Sequence, residues 1–102
     1  MDAATMLSML KIDLGIVTEA YDARLSQYIE AAAAEIIREG ASTLDASSSV
    51  TDAMLVTQLA AFMWRARDAA PGSENTAAAS GMPRWLRYAI NNRIFAEKAA
   101  TT

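Results

Sequence analysis

Apolar residues along this chain recur every three or four positions, the spacing that puts them on one face of an α-helix. No segment shows the strict alternation of a strand, and no internal repeat is present. Met6, Leu7, Leu10 and Leu14 predict a short first helix from about Ala3 to Lys11, after which "DLGI" turns the chain at Gly15. In "TEAYDARLSQYIEAAAAEIIREG", Leu25, Tyr28, Ile29, Ala32, Ala33, Ile36 and Ile37 form one stripe, with Asp22, Glu30, Glu35 and Arg38 largely on the other side. Thr18 is placed to cap this second helix, Glu19 and Asp22 lie near the positive end of its dipole, and Gly40 suits its end. About 20 residues at 1.5 Å each predict a rod of roughly 30 Å. Its alanine run thins one side and lets a neighbouring helix approach closely.

"ASTLDASSS" reads as a loop. Ser49-Val50-Thr51-Asp52 then resembles a capping box, with Asp in place of the usual Glu. A third helix is predicted from about Val50 to Asp68, apolar nearly all round through Met54, Leu55, Val56, Leu59, Phe62, Met63 and Trp64. Only the Thr51, Gln58 and Arg65 wedge is polar over several turns. Such a helix seeks burial on more than one side, which in so small a domain points to a subunit contact. "AAPGSENTAAASG" predicts a mobile loop over about 69–82, and Pro83 fits the first turn of a last helix.

That last helix, "MPRWLRYAINNRIFAEKAATT", has three faces at about 100° per residue. Leu86, Ile90 and Ile94 form one apolar stripe, and Arg84, Arg87, Asn91 and Lys98 a basic one, with Arg93 adding a further cation. Trp85, Tyr88 and Phe95 form a second apolar side, with Asn92 and Ala96 beside them. One apolar stripe is enough to dock a helix on its own domain, so the aromatic side is surplus, and Trp and Tyr are favoured at protein interfaces. Three explanations stand open: both apolar sides pack in the core, the cations meet nucleic-acid phosphates, or the aromatic side meets a protein. The predicted fold is all-α, one domain over 1–102: a small bundle of two long antiparallel helices with shorter N- and C-terminal helices.

Composition narrows the function. The chain has 102 residues, a size that fits one domain and buries roughly 65% of the unfolded surface. Its hydrophobic fraction is 53%, but alanine supplies much of that, so the core is modest and stability gained on assembly is plausible. Net charge is −3 and the pI about 4.8. Residues 1–82 carry five basic and eleven acidic groups, a balance of −6, whereas residues 83–102 carry four basic groups and one acid, +3. An acidic body with a basic end can pair head to tail with copies of itself or with a partner. The acidic whole argues against sequence-reading of nucleic acid.

With no Cys and no His, the chain has no disulfide, thiolate zinc site, Cys nucleophile or imidazole base. Ser47, Ser48 and Ser49 therefore lack a His to activate them. Glu35 and Glu39 sit four apart with Glu30 nearby, a spacing that could hold a metal or act as acid and base. Acids on a helix face ordinarily stay solvated, and no phosphate-cradling glycine loop is present. No catalytic residue, metal ligand or cofactor is expected, and no enzyme. "MDAATMLSMLKIDLG" has an acid at Asp2 and no basic lead, unlike a signal peptide. No stretch approaches the roughly 18 apolar residues of a membrane span. A Cys-free chain suits the cytosol.

"LKIDLGI" before "YDARLSQYIEAAAAEIIREG", then "LVTQLAAFMWRARD" and "MPRWLRYAINNRIF" together resemble the head–tail connector proteins of tailed bacteriophages, small helical adaptors of the head-completion group. The order and spacing of the four segments carry the resemblance from Met6 to Lys98. It implies a structural virion protein of the neck, made in the bacterial host cytoplasm by a phage or prophage. Copies would form a ring of about a dozen beneath the portal, extend the DNA channel and give the tail or a stopper protein a place to dock. DNA would then pass without sequence-specific binding, helped by the repulsion between an acidic body and the duplex. On that reading Arg84, Trp85, Arg87, Tyr88, Asn91 and Arg93 form the docking interface. The rival is a small helical DNA-binding or packaging regulator that grips phosphate with the same basic helix.

Overall fold

The computed structural model describes residues 1–67 and 81–101. Among the described residues four helices make an all-α bundle and there is no strand. Helix α1 spans Ala3–Leu14, with Asp2 at its N-cap accepting from the Thr5 amide at 2.7 Å. It runs three residues beyond its expected end because the first residue able to break it is Gly15, at φ 71°. The Gly15 and Ile16 amides donate back to Ile12 and Lys11, closing the helix in a Schellman motif.

Helix α2 spans Asp22–Glu39 and starts later than a Thr18 cap would have it. The Thr18 hydroxyl is satisfied instead by the Ala20 amide at 3.2 Å, a local turn that competes with capping. Leu25, Ile29, Ala32 and Ile36 are buried, while Ile37, expected in the same stripe, is exposed. Gly40 ends the helix with the amides of Gly40 and Ala41 bonded to Ile37 and Ile36, as its placement suggested.

Helix α3, Val50–Ala66, is the centre of the bundle and packs against α1, α2 and the last helix, α4 (Arg84–Thr101). Its all-round apolar character is met inside the subunit: Ala53, Val56, Leu59, Ala60 and Trp64 are buried among the other three helices. A subunit contact is not needed to explain it. Phe62 is only partly buried, against the edge of the core. Trp64, near the end of α3, meets Tyr28 of the first half of α2 and Tyr21 just before that helix edge-on at 5.5 and 5.6 Å, so the two helices run antiparallel. The Arg67 guanidinium lies over the same indole at 3.5 Å.

Helix α4 has 18 residues, the length of α2 rather than the shorter helix expected, because neither Gly nor Pro interrupts it after Pro83. Leu86 and Ile90 are fully buried and Ile94 packs over Gly40. The predicted mobile loop lies outside the described residues apart from Gly81 and Met82. No helix among the described residues is long and apolar enough to cross a membrane.

Candidate interaction surface

Helix α4 is fastened at three polar points, each with a side chain on the body. Arg93 donates from Nε to Asp52 Oδ1 at 2.8 Å and from a terminal nitrogen to Oδ2 at 3.3 Å, a bidentate grip on a buried carboxylate. The same terminal nitrogen reaches the Thr43 hydroxyl at 3.0 Å. Asp52 also accepts from the Asp45 amide at 3.0 Å. Burial pushes the Asp52 carboxyl up, but the hydrogen bonds from Arg93 and Asp45 outweigh it and hold the group below its ordinary value. The bond to Asp52 in turn raises Arg93.

Glu97, one turn beyond Arg93, accepts four hydrogen bonds from the start of the α2–α3 loop: the amide and hydroxyl of Ser42 at 3.1 and 2.9 Å, and those of Thr43 at 2.6 and 2.5 Å. Led by the Thr43 hydroxyl, these donors hold its carboxyl down at about 2. The third point is Arg87, paired with Glu39 at the end of α2 at 2.7 Å.

The six residues expected to form the interface therefore divide. Arg84, Trp85 and Tyr88 face outward. Arg87 and Arg93 are committed to carboxylates of their own subunit, and Asn91 is half-buried between them. The aromatic side does not pack in the core: Trp85, Tyr88 and Phe95 are 56%, 59% and 67% exposed. Beside it, two cavities of about 430 Å³ each follow the junction of α3 and α4, and Gln58 lines both. Phe62, Arg65 and Trp85 line the first, and Met54, Ala89 and Asn92 the second.

Two residues of this arrangement, Asp52 and Glu97, carry roles their sequence pattern does not announce. By spacing Asp52 is the acid of a capping box. Half of the box forms, since the Ser49 hydroxyl accepts from the Asp52 amide at 3.2 Å. The Asp52 carboxylate turns to Arg93 instead of returning to the Ser49 amide, which bonds to the Asp45 carbonyl at 2.9 Å. The shortened acid in the box was the available signal. Glu97 was passed over as one acid among cations, although its position four after Arg93 marks a helical pair. The Glu30, Glu35 and Glu39 cluster does not converge: Glu35 pairs with Arg38 and Glu39 with Arg87. No group of acids among the described residues could hold a metal ion.

The chemistry on offer is docking: apolar area, an exposed guanidinium at Arg84 and a groove beside them. Comparisons of the chain with protein-family models, curated proteins and solved structures find no match.

Proposed function

We propose that this protein is a structural adaptor of the tailed-phage neck, whose copies form a ring that joins the portal to the tail or a stopper and extends the DNA channel. The observation that carries the reading is the outward aromatic side of α4. Three large aromatic side chains stay in water on a helix whose other apolar stripe is already buried, and such surfaces mark protein contacts. Commitment of Arg87 and Arg93 to Glu39 and Asp52 also leaves this helix a poorer grip on phosphate than its composition suggests. The acidic body suits a channel wall along which DNA slides without sticking. No catalytic step and no cofactor enters this role.

Sedimentation over a range of protein concentrations, with electron microscopy of the particles, tests it. The expected result is a closed multi-subunit ring for the parent chain. A Trp85→Ala, Tyr88→Ala double variant should keep its helical circular dichroism and lose the ring. A protein that stays monomeric at every concentration, and binds duplex DNA with an affinity falling steeply in salt, overturns the adaptor and supports a packaging regulator.

A further inference from the structure

The residues that α4 turns outward are not scattered. Trp85, Tyr88, Asn92, Phe95 and Ala99 follow one another at steps of three, four, three and four, the a and d positions of two heptads. In that register Leu86, Arg87, Ile90, Arg93, Ile94 and Glu97 occupy b, c and f, and these are the positions that hold α4 on its own subunit. The helix therefore has a finished inner face and, on its outer side, a coiled-coil seam whose side chains are exposed. We propose that this seam, with the α3–α4 groove beside it, seats one amphipathic helix of a partner protein whose apolar stripe is flanked by carboxylates. The proposal rests on the adaptor reading only in taking α4 as a docking surface, and it names the chemistry of what docks.

The flanks say what the partner carries. On one side of the seam stand Arg84, Asn91 and Lys98, and on the other Ala89 and Ala96. The single acid of α4, Glu97, is turned away into the Ser42–Thr43 backbone. The seam thus shows cations and no carboxylate, and a helix with Glu or Asp at its own flanking positions would complement it. The alanine flank is low, so a partner helix can lean across it toward α3, where Met54 is half-exposed and the 430 Å³ cavity lies beneath. Arg65 and Asp13, both exposed, line the neighbouring cavity, so that end of the groove carries both signs and the cationic flank is that of α4. A second copy of α4 fits poorly. Set antiparallel, it would place Arg84 against Lys98 at both ends; set parallel, it would place Arg84 against Ala89 and offer neither cation a carboxylate. Asn92, polar in the middle of the seam, calls for a polar residue opposite and so fixes the register of whatever docks.

The test uses the whole protein and two synthetic helical peptides of about three heptads, with leucine at every seam position but one, which is asparagine. Glutamate fills the flanking positions of one peptide and lysine those of the other. Calorimetry measures affinity, and the indole emission of exposed Trp85, against buried Trp64, reports the seat. The glutamate peptide should bind about tenfold more tightly than the lysine peptide, from several weak ion pairs reversed in sign. That advantage should shrink in high salt. Replacing the peptide asparagine by leucine should weaken binding about fivefold, by leaving Asn92 covered and unpaired. Trp85→Ala should cost about thirtyfold with helicity unchanged. Equal affinity for the two peptides, no binding of either, or undiminished binding by Trp85→Ala overturns the proposal. A protein that forms rings yet ignores both peptides overturns this inference alone. One that takes the glutamate peptide with these dependences while never forming a ring supports this inference and removes the adaptor reading.

Discussion

Breaking the Arg93–Asp52 pair should cost far more from one side than from both. In Arg93→Met the methionine keeps most of the apolar stem, so the loss is chiefly polar. Asp52, 5% exposed, would lose both bonds of its bidentate partner and keep only the Asp45 amide. Removing one member of a fully buried pair typically costs about 3–5 kcal/mol, because the remaining charge is stranded. Here the side chains of Arg93 and Asp52 keep 18% and 8% of their exposure, so water reaches the stranded carboxylate and about 2–3 kcal/mol is the reasonable figure. The reverse variant, Asp52→Leu, strands a guanidinium that still has the Thr43 hydroxyl at 3.0 Å and Glu97 at 3.8 Å, and also leaves the Asp45 amide without its acceptor, so it should cost about 2–3 kcal/mol. The double variant leaves only the Asp45 amide without its acceptor, about 1–2 kcal/mol. The cycle then yields a coupling of about 3 kcal/mol. Urea unfolding reads it: with a slope of about 1–3 kcal/mol per molar, Arg93→Met should lower the midpoint by about 1 M and the double variant by clearly less. If the two single costs add to within about 0.5 kcal/mol, the pair is not coupled and the account of how α4 is held fails.

Ile36 is completely buried between α2 and the rest of the core, so Ile36→Ala should destabilise by about 2–5 kcal/mol in the same assay, and a loss under about 0.5 kcal/mol would refute its placement. Gly40 has φ 138° and an added Cβ would meet the Ile94 side chain at 3.2 Å. Gly40→Ala should therefore cost more than about 1 kcal/mol, with thermal melting as the check. For Glu97 the folded carboxyl lies at about 2 against an ordinary 4.5. Across that window the unfolded chain binds the additional proton, so stability rises with pH and the contribution is lost as pH falls from about 4.5 through about 2. Glu97→Gln should flatten that part of the stability–pH curve; an unchanged slope would contradict the four-donor cradle.

Helix existence and type were legible because apolar residues recur at helical spacing, most sharply in α2, while α3, apolar nearly all round, was legible by the length of its run. Gly15 and Gly40 were legible as ends because only glycine readily takes their backbone geometry. Starts were less so: Thr18 has the chemistry of a cap, but its hydroxyl found a nearer amide at Ala20, a competition that one sequence cannot settle. The two apolar sides of α4 were visible as a pattern. Which one faces water was not, since Leu86 and Trp85 are equally apolar on paper and the choice depends on contacts with the body, some 40 to 55 residues away in sequence: Arg87–Glu39, Arg93–Asp52, and Glu97 with Ser42 and Thr43. For the same reason Arg87 and Arg93 read as surface cations. The resemblance motifs prove to be held largely by structural contacts. Tyr21 of "YDARLSQYIEAAAAEIIREG" packs on Trp64 of "LVTQLAAFMWRARD", and the arginines of "MPRWLRYAINNRIF" include the two that fasten α4.

That choice of face is the central physical question about α4. By buried area alone, a side carrying Trp85, Tyr88 and Phe95 should out-compete one carrying Leu86, Ile90 and Ile94, because aromatic side chains bring more surface. The observed orientation is the opposite, and the polar clasp accounts for it. Rotating α4 by half a turn would strip Asp52 of its guanidinium inside the protein, and would take Glu97 away from two amides and two hydroxyls at the start of the α2–α3 loop. The buried Asp52 carboxylate would be stranded at about 2–3 kcal/mol, and the charge-assisted bonds of Glu97 to exposed Ser42 and Thr43 would be exchanged for water, a further smaller loss; together these oppose the extra area the aromatics would bury. Shape points the same way: the approach of Ile94 over the Cβ-free Gly40 suits a branched aliphatic chain and leaves little room for a ring. The polar contacts thus do more than hold the helix. They select which apolar side is buried, and by doing so keep the aromatic seam in water, where a partner helix can reach it.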